Sequence, residues 1–120
     1  MNIGVIQFYN NQVDYGVYSE KINQEYCNQK GYKYICDTDS NKIALVLNGK
    51  APTWYKPRLL QQAFSDHPDL DYLLFLDADA IINDFSQSIE DFIDPQYDIV
   101  VAEDIGHHSV MNAGVILLKN

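Results

Sequence analysis

Tyr72-Leu73-Leu74-Phe75-Leu76 runs directly into Asp77-Ala78-Asp79, and this junction constrains the fold more than any other stretch of the chain. Five consecutive bulky apolar or aromatic residues predict a strand buried on both faces, as in a parallel α/β sheet. In such sheets the ligand crevice lies outside the carboxyl ends of the strands, where the two acids fall. In extended backbone, residues two apart share a face, so both carboxylates are expected to point the same way. Carboxylates that close repel each other unless a cation neutralises them. Two adjacent hard oxygen ligands suit a magnesium-type ion carrying a phosphate. The same residues also fit a polar turn in which Asp caps the backbone.

The surrounding pattern extends the α/β reading. Residues 3–8 form an opening apolar strand, and residues 14–30 are helical in pattern, with Tyr15, Tyr18, Ile22 and Tyr26 expected on one apolar stripe. Gly31 is placed to end that helix, and residues 32–36 read as a second strand. Strand, helix, strand implies parallel pairing. Residues 37–49 fit a helix or a strand equally. A further helix is expected from about Thr53, with Pro57 in its first turn, Leu59, Leu60, Ala63 and Phe64 on its buried face, and His67-Pro68 closing it. Ser86 is a candidate cap for a short helix carrying Ile89, Phe92 and Ile93. Residues 98–102 and 114–118 read as the last two strands. The sum is a single domain over residues 1–120, a nucleotide-binding type of α/β fold whose strand order the sequence leaves open.

Charge narrows the partners. Seventeen acidic residues against eight basic ones give a formal charge of −9, which disfavours a nucleic-acid partner. The balance suits a protein that holds a divalent cation and lets that cation face phosphates; the plainer reading, expected to cover most of the charge, is a soluble surface with excess Asp. Cys27 and Cys36 make neither a metal-ligand spacing nor a disulfide framework, so free thiols are expected. No signal peptide and no long apolar run is visible, so a complete chain is expected to be cytosolic or intracellular. The chain stops at Lys119-Asn120, directly after an apolar strand, and a fragment or truncated product is the expectation.

Several other residues could carry chemistry. Lys56, at a helix start before the acidic strand end, could meet a phosphate as a point charge; the plainer reading is a solvated lysine beside a core Trp54. Asn112 offers a donor and an acceptor to a hydroxyl-rich substrate, and Gly114 allows close backbone approach; an ordinary turn into a strand explains them equally. Glu103, Asp104, His107 and His108 crowd one loop, where acceptor recognition, a metal ligand or a base competes with a plain surface loop. Tyr9, followed by Asn10 and Asn11, lies at the end of the first strand, where a nucleotide base could stack on its ring.

Together these pieces resemble the galactosyl-, mannosyl- and xylosyltransferase family of retaining glycosyltransferases with the GT-A fold. Asn23-Gln24-Glu25-Tyr26-Cys27 with Gly31-Tyr32 is similar to that family's early helix and turn, and Trp54-Tyr55-Lys56 with Leu59, Ala63 and Pro68 to its next helix. Leu76-Asp77-Ala78-Asp79-Ala80-Ile81-Ile82-Asn83 resembles its metal motif, and residues 112–120 its Asn-x-Gly strand. The resemblance implies a GT-A-like, Rossmann-like sheet flanked by helices, present here in its N-terminal, donor-binding portion. It implies a metal-dependent transferase moving a hexose or pentose from a UDP- or GDP-sugar to a saccharide acceptor, with Mn²⁺, or alternatively Mg²⁺, as cofactor. Asp77 and Asp79 would hold the ion and the donor, Lys56 would sit near the phosphates, and Asn112 with Gly114 would line the sugar pocket. Lys119 stands where the family often carries Arg, and the chain ends before the C-terminal histidine that GT-A enzymes usually add to the metal set.

Two other readings start from the same residues. Haloacid-dehalogenase-type phosphatases also end an apolar strand with Asp-x-Asp, but they usually carry Thr or Val where this chain has Ile81, and they place the motif near the chain start. A non-catalytic remnant that binds a nucleotide-sugar without turnover is the second.

Overall fold

The computed structural model describes residues 1–106 and 111–120. Strand β1 (Ile3–Phe8), helix α1 (Gly16–Lys30) and strand β2 (Lys33–Asp37) form the expected parallel unit, with Val5 opposite Tyr34. Gly31 takes φ 76°, a left-handed conformation that glycine adopts without steric cost, and closes α1. Helices α2 (Ser40–Leu47) and α3 (Tyr55–Asp66), the latter entered through a 3₁₀ turn over Pro52–Trp54, lead to β3 (Tyr72–Leu76). A second 3₁₀ turn (Ile89–Phe92) precedes β4 (Ile99–Ala102) and β5 (Asn112–Lys119).

The five strands lie in the order β2-β1-β3-β5-β4. Strand β3 pairs parallel to β1 on the side away from β2, so the chain's progress along the sheet reverses at β1. The carboxyl ends of β1 and β3 therefore flank a topological switch point, the usual ligand crevice of such sheets. Strand β5 runs antiparallel between β3 and β4, and its register with β4 jumps between Val101 and Ala102, which opposes Asn112.

Side chains pack on both faces of the sheet at β1 and β3, which is why β3 reads as an unbroken apolar run. On one face Ile6, Leu73 and Phe75 pack against Ile43 and Leu47 of α2 and Tyr55, Leu59 and Ala63 of α3. On the other, Val5, Leu76 and Leu117 pack against Tyr26 and Cys27 of α1 and Ile89. Truncating a fully buried ring such as Phe75 to alanine costs roughly 3–5 kcal/mol in cores of this kind.

Three local expectations are corrected, and one open choice is decided. The Tyr15, Tyr18 and Ile22 stripe of α1 faces outward; its buried face is Gly16, Ser19, Asn23, Tyr26 and Cys27. Polar side chains occupy that face because backbone groups of the neighbouring loop need partners there. The ambiguous segment is helical, with the Asp39 side chain accepting from the Lys42 amide at its start. Trp54 is 66% exposed, and Tyr55, 1% exposed, is the core aromatic of α3. Ser88, not Ser86, caps the short helix, through a reciprocal capping box with Asp91; Ser86 bonds Asp84 Oδ1 instead.

Candidate functional site

Strand β3 ends at Leu76, the last residue opposite β5, and the Asp77 amide donates to the Gly114 carbonyl at 2.8 Å. The Ala80 amide then donates back to the Asp77 carbonyl at 2.9 Å, closing a tight turn. Asp77 and Asp79 thus belong to a turn and not to a continuing strand, which corrects the shared-face expectation. The turn still delivers both to one place. They line a cleft of about 260 Å³ together with Phe8, Tyr9, Thr53 and Lys56, at the carboxyl ends of β1 and β3. A larger cavity of about 410 Å³ lies on the α1 side of the sheet among Leu74, Leu76, Val100 and Leu117. It is apolar and contains neither of the two acids, so the smaller cleft is the one with chemistry.

Lys56 is held in place and not solvated. Its Nζ lies 3.2 Å from Asp77 Oδ1, donates to the Ala113 carbonyl at 2.5 Å and sits 4.5 Å from the centre of the Phe75 ring. Its side chain is 13% exposed against 45% for Asp77. The first turn of α3 therefore fixes a cation at the rim of the acidic turn.

Tyr9 lines the cleft with one end anchored. Its hydroxyl donates to Glu20 Oε2 at 2.5 Å, and that hydrogen bond, ahead of burial, pushes its pKa to about 12. The ring lies on Gly16, where any Cβ would overlap it. Asn112 Oδ1 accepts the Gly114 amide at 2.8 Å, so part of its polar capacity is used within β5. A Cβ built on Gly114 would lie 2.8 Å from Asp77 Oδ2. Among the described residues the cleft lining includes neither Asn112 nor Gly114. Glu103 and Asp104 lie in the loop after β4, while His107 and His108 fall outside the described residues.

Sequence reasoning passed over the residues that support the turn. Gln7 Nε2 donates to the Asp77 carbonyl at 3.0 Å, and Ser19 Oγ to the Ala78 carbonyl at 2.5 Å. Asn23 Nδ2 donates to the Ala80 carbonyl at 2.9 Å, and its Oδ1 accepts the Ile82 amide at 2.8 Å. Gln7 Oε1 accepts from Asn23 Nδ2 and from the Tyr34 hydroxyl. The available signal was Gln7, a lone amide within an apolar strand, and Asn23, which carries part of the family resemblance.

Among the described residues, no group of three or more His, Cys, Asp and Glu side chains could hold a metal ion. Among the described residues, the protein ligands that the cleft would offer Mg²⁺ or Mn²⁺ are the two carboxylates of Asp77 and Asp79. Two carboxylates on an open cleft, one of them already facing a cation, match the pattern in which one or two carboxylates share the ion with substrate phosphates and water. The donor set fits on those terms.

A family model described as the galactosyl transferase GMA12/MNN10 family matches residues 5–97. No curated protein matches the chain. Among solved structures, the chain is similar to a glycosyltransferase involved in the glycosylation of the major capsid of PBCV-1. The TM-score is 0.78 at 21% identity, over 99% of this chain and 60% of that one. The likeness establishes the glycosyltransferase fold, and the chain spans about 60% of that relative's length. Among the described residues no helix is long and apolar enough to cross a membrane. With a family model covering residues 5–97 and the matching sheet beneath it, the chain belongs to the galactosyl transferase GMA12/MNN10 family.

Proposed function

We propose that the cleft between β1 and β3 binds a nucleotide-sugar through a divalent cation, Mn²⁺ or in its place Mg²⁺, and serves retaining transfer of a hexose or pentose to a saccharide acceptor. The observation that carries this reading is the convergence of Asp77, Asp79, Lys56 and Tyr9 on one cleft at the switch point of the sheet. Asp77 and Asp79 are the residues that would hold the ion. When bound, it would offset charge building on the diphosphate leaving group. Lys56, already held beside Asp77, supplies a fixed positive charge to the same oxygens. Tyr9, anchored by Glu20, offers a rigid aromatic surface for the nucleoside, and Asn112 with Gly114 borders the acidic turn where the sugar would lie.

The acidic composition does not oppose a phosphate-bearing donor, since an ion and one lysine would supply the positive charge facing the phosphates. Family membership lends no support to the phosphatase alternative. The test is calorimetric titration of UDP, GDP and their sugars with and without Mn²⁺, followed by an assay of donor hydrolysis. Mn²⁺-dependent binding with turnover is expected. Binding without turnover would mark a donor-binding remnant, and no binding would end the proposal.

A further inference from the structure

Resting on the donor-site reading above, we propose that Asn23, with Gln7 and Ser19, is a positioning device that sets the turn carrying Asp77 and Asp79. These three side chains are 0%, 1% and 4% exposed, so each had to be taken out of water and satisfied inside. Most of their bonds go to one short loop, and the rest to each other, to Tyr34 and to Gly16. The carbonyls of Asp77, Ala78 and Ala80 each accept a bond from β1 or α1, and the amide of Ile82 donates one to Asn23 Oδ1.

The orientations are mutually determined. Ile82 N–H can only meet the oxygen of Asn23, which leaves its NH₂ to donate to Ala80 and to Gln7 Oε1. Gln7 Oε1, also taken by Tyr34, leaves Nε2 to hold Asp77. The amides interlock, so neither can rotate without breaking a bond of the other.

A structural helix face of this size would ordinarily be apolar. Here the polar face lies under the acidic turn, and the stripe of Tyr15, Tyr18 and Ile22 is left outside. The turn must keep two like charges near each other in the absence of any regular strand or helix. Fixing its carbonyls from below supplies the rigidity that side-chain ligands need from outer partners.

The test measures hydrogen exchange and Mn²⁺ affinity, the latter in the presence of UDP, for Asn23→Ala and for the milder Ser19→Ala. The informative amide is Ala80, whose partner is the Asp77 carbonyl and which neither substitution touches directly. The expected result is faster exchange at Ala80, unchanged exchange in β1 and β3, and Mn²⁺ affinity lower by about tenfold or more in Asn23→Ala. If Asn23→Ala does not fold, Ser19→Ala gives the same readouts. Unchanged protection at Ala80, or a loosened turn with wild-type Mn²⁺ affinity, overturns the proposal. A wild-type chain that binds no Mn²⁺ sinks the donor-site reading instead, and exchange at Ala80 then decides whether the clamp stands.

Discussion

Gly114 lies so close to Asp77 that a single added methyl carbon would sit 2.8 Å from the carboxylate Oδ2. The Asp77 amide is bonded to the Gly114 carbonyl at the same point. The Asn-x-Gly segment and the acidic turn, far apart in sequence, are therefore two sides of one local structure. Gly114→Ala is expected to push the carboxylate aside while leaving the sheet paired. Titration of Mn²⁺ with UDP should show affinity reduced by about tenfold, equivalent to about 1.4 kcal/mol. Unchanged affinity would show that the carboxylate has room to shift.

Asp77→Asn and Asp79→Asn should each abolish Mn²⁺-dependent donor binding. Their effects on stability should differ. Asp79 is exposed, so its replacement should leave the thermal midpoint nearly unchanged, within about 0.5 kcal/mol. Asp77→Asn also removes the charged partner of Lys56 and should cost more. Calorimetry paired with thermal unfolding separates the two effects.

Lys56→Met keeps most of the aliphatic stem and deletes the ammonium that sits over Phe75. It removes the bond to the Ala113 carbonyl and the pairing with Asp77. Loss of a hydrogen bond from a charged, mostly buried donor is expected to cost about 2 kcal/mol in urea unfolding. Affinity for UDP should fall further than affinity for uridine, since only the former carries phosphates. Equal losses for both would remove Lys56 from the phosphate site.

Asp37 is expected to contribute to the loss of stability in acid. Burial alone would raise its pKa, but hydrogen bonds from Tyr55 and Lys42 outweigh it and hold the carboxyl below the usual range. A carboxylate with a depressed folded pKa adds stability that is fully present above its unfolded value, about 3.9, and is lost as pH falls through the folded one. Urea midpoints measured from pH 6 downward should drop more steeply for the wild type than for Asp37→Asn below about pH 4. Parallel curves would remove Asp37 from the acid limb.

Cys27 and Cys36 are free thiols, and burial pushes each to about 12. The thiolate is the reactive species, so neither should react at pH 8 in the folded chain. A thiol-counting reagent should find both only after denaturant is added. Rapid labelling of the native protein would contradict this.

The strands and most helices were readable because each is specified by local pattern. Ile3–Phe8 and Tyr72–Leu76 carry continuous apolar runs, and Gly31 marks a helix end that only a left-handed residue makes easily. Where the reading failed, the deciding contact was distant in sequence. Tyr15, Tyr18 and Ile22 looked like a buried stripe by spacing, yet the loop at 77–82 demanded Ser19 and Asn23 on the inner face. Trp54 looked like core, yet its neighbour Tyr55 reaches Asp37 at the end of β2 and takes the interior place.

The amino-acid order alone determined the α/β class and put two acids at the end of a strand, because hydrophobic periodicity and turn residues act over a few positions. The antiparallel insertion of β5 between β3 and β4, the meeting of Gly114 with Asp77, and the buried amides beneath the acidic turn were decided only in three dimensions. Each depends on groups tens of residues apart satisfying one another's hydrogen bonds and van der Waals limits, and no local pattern encodes that requirement.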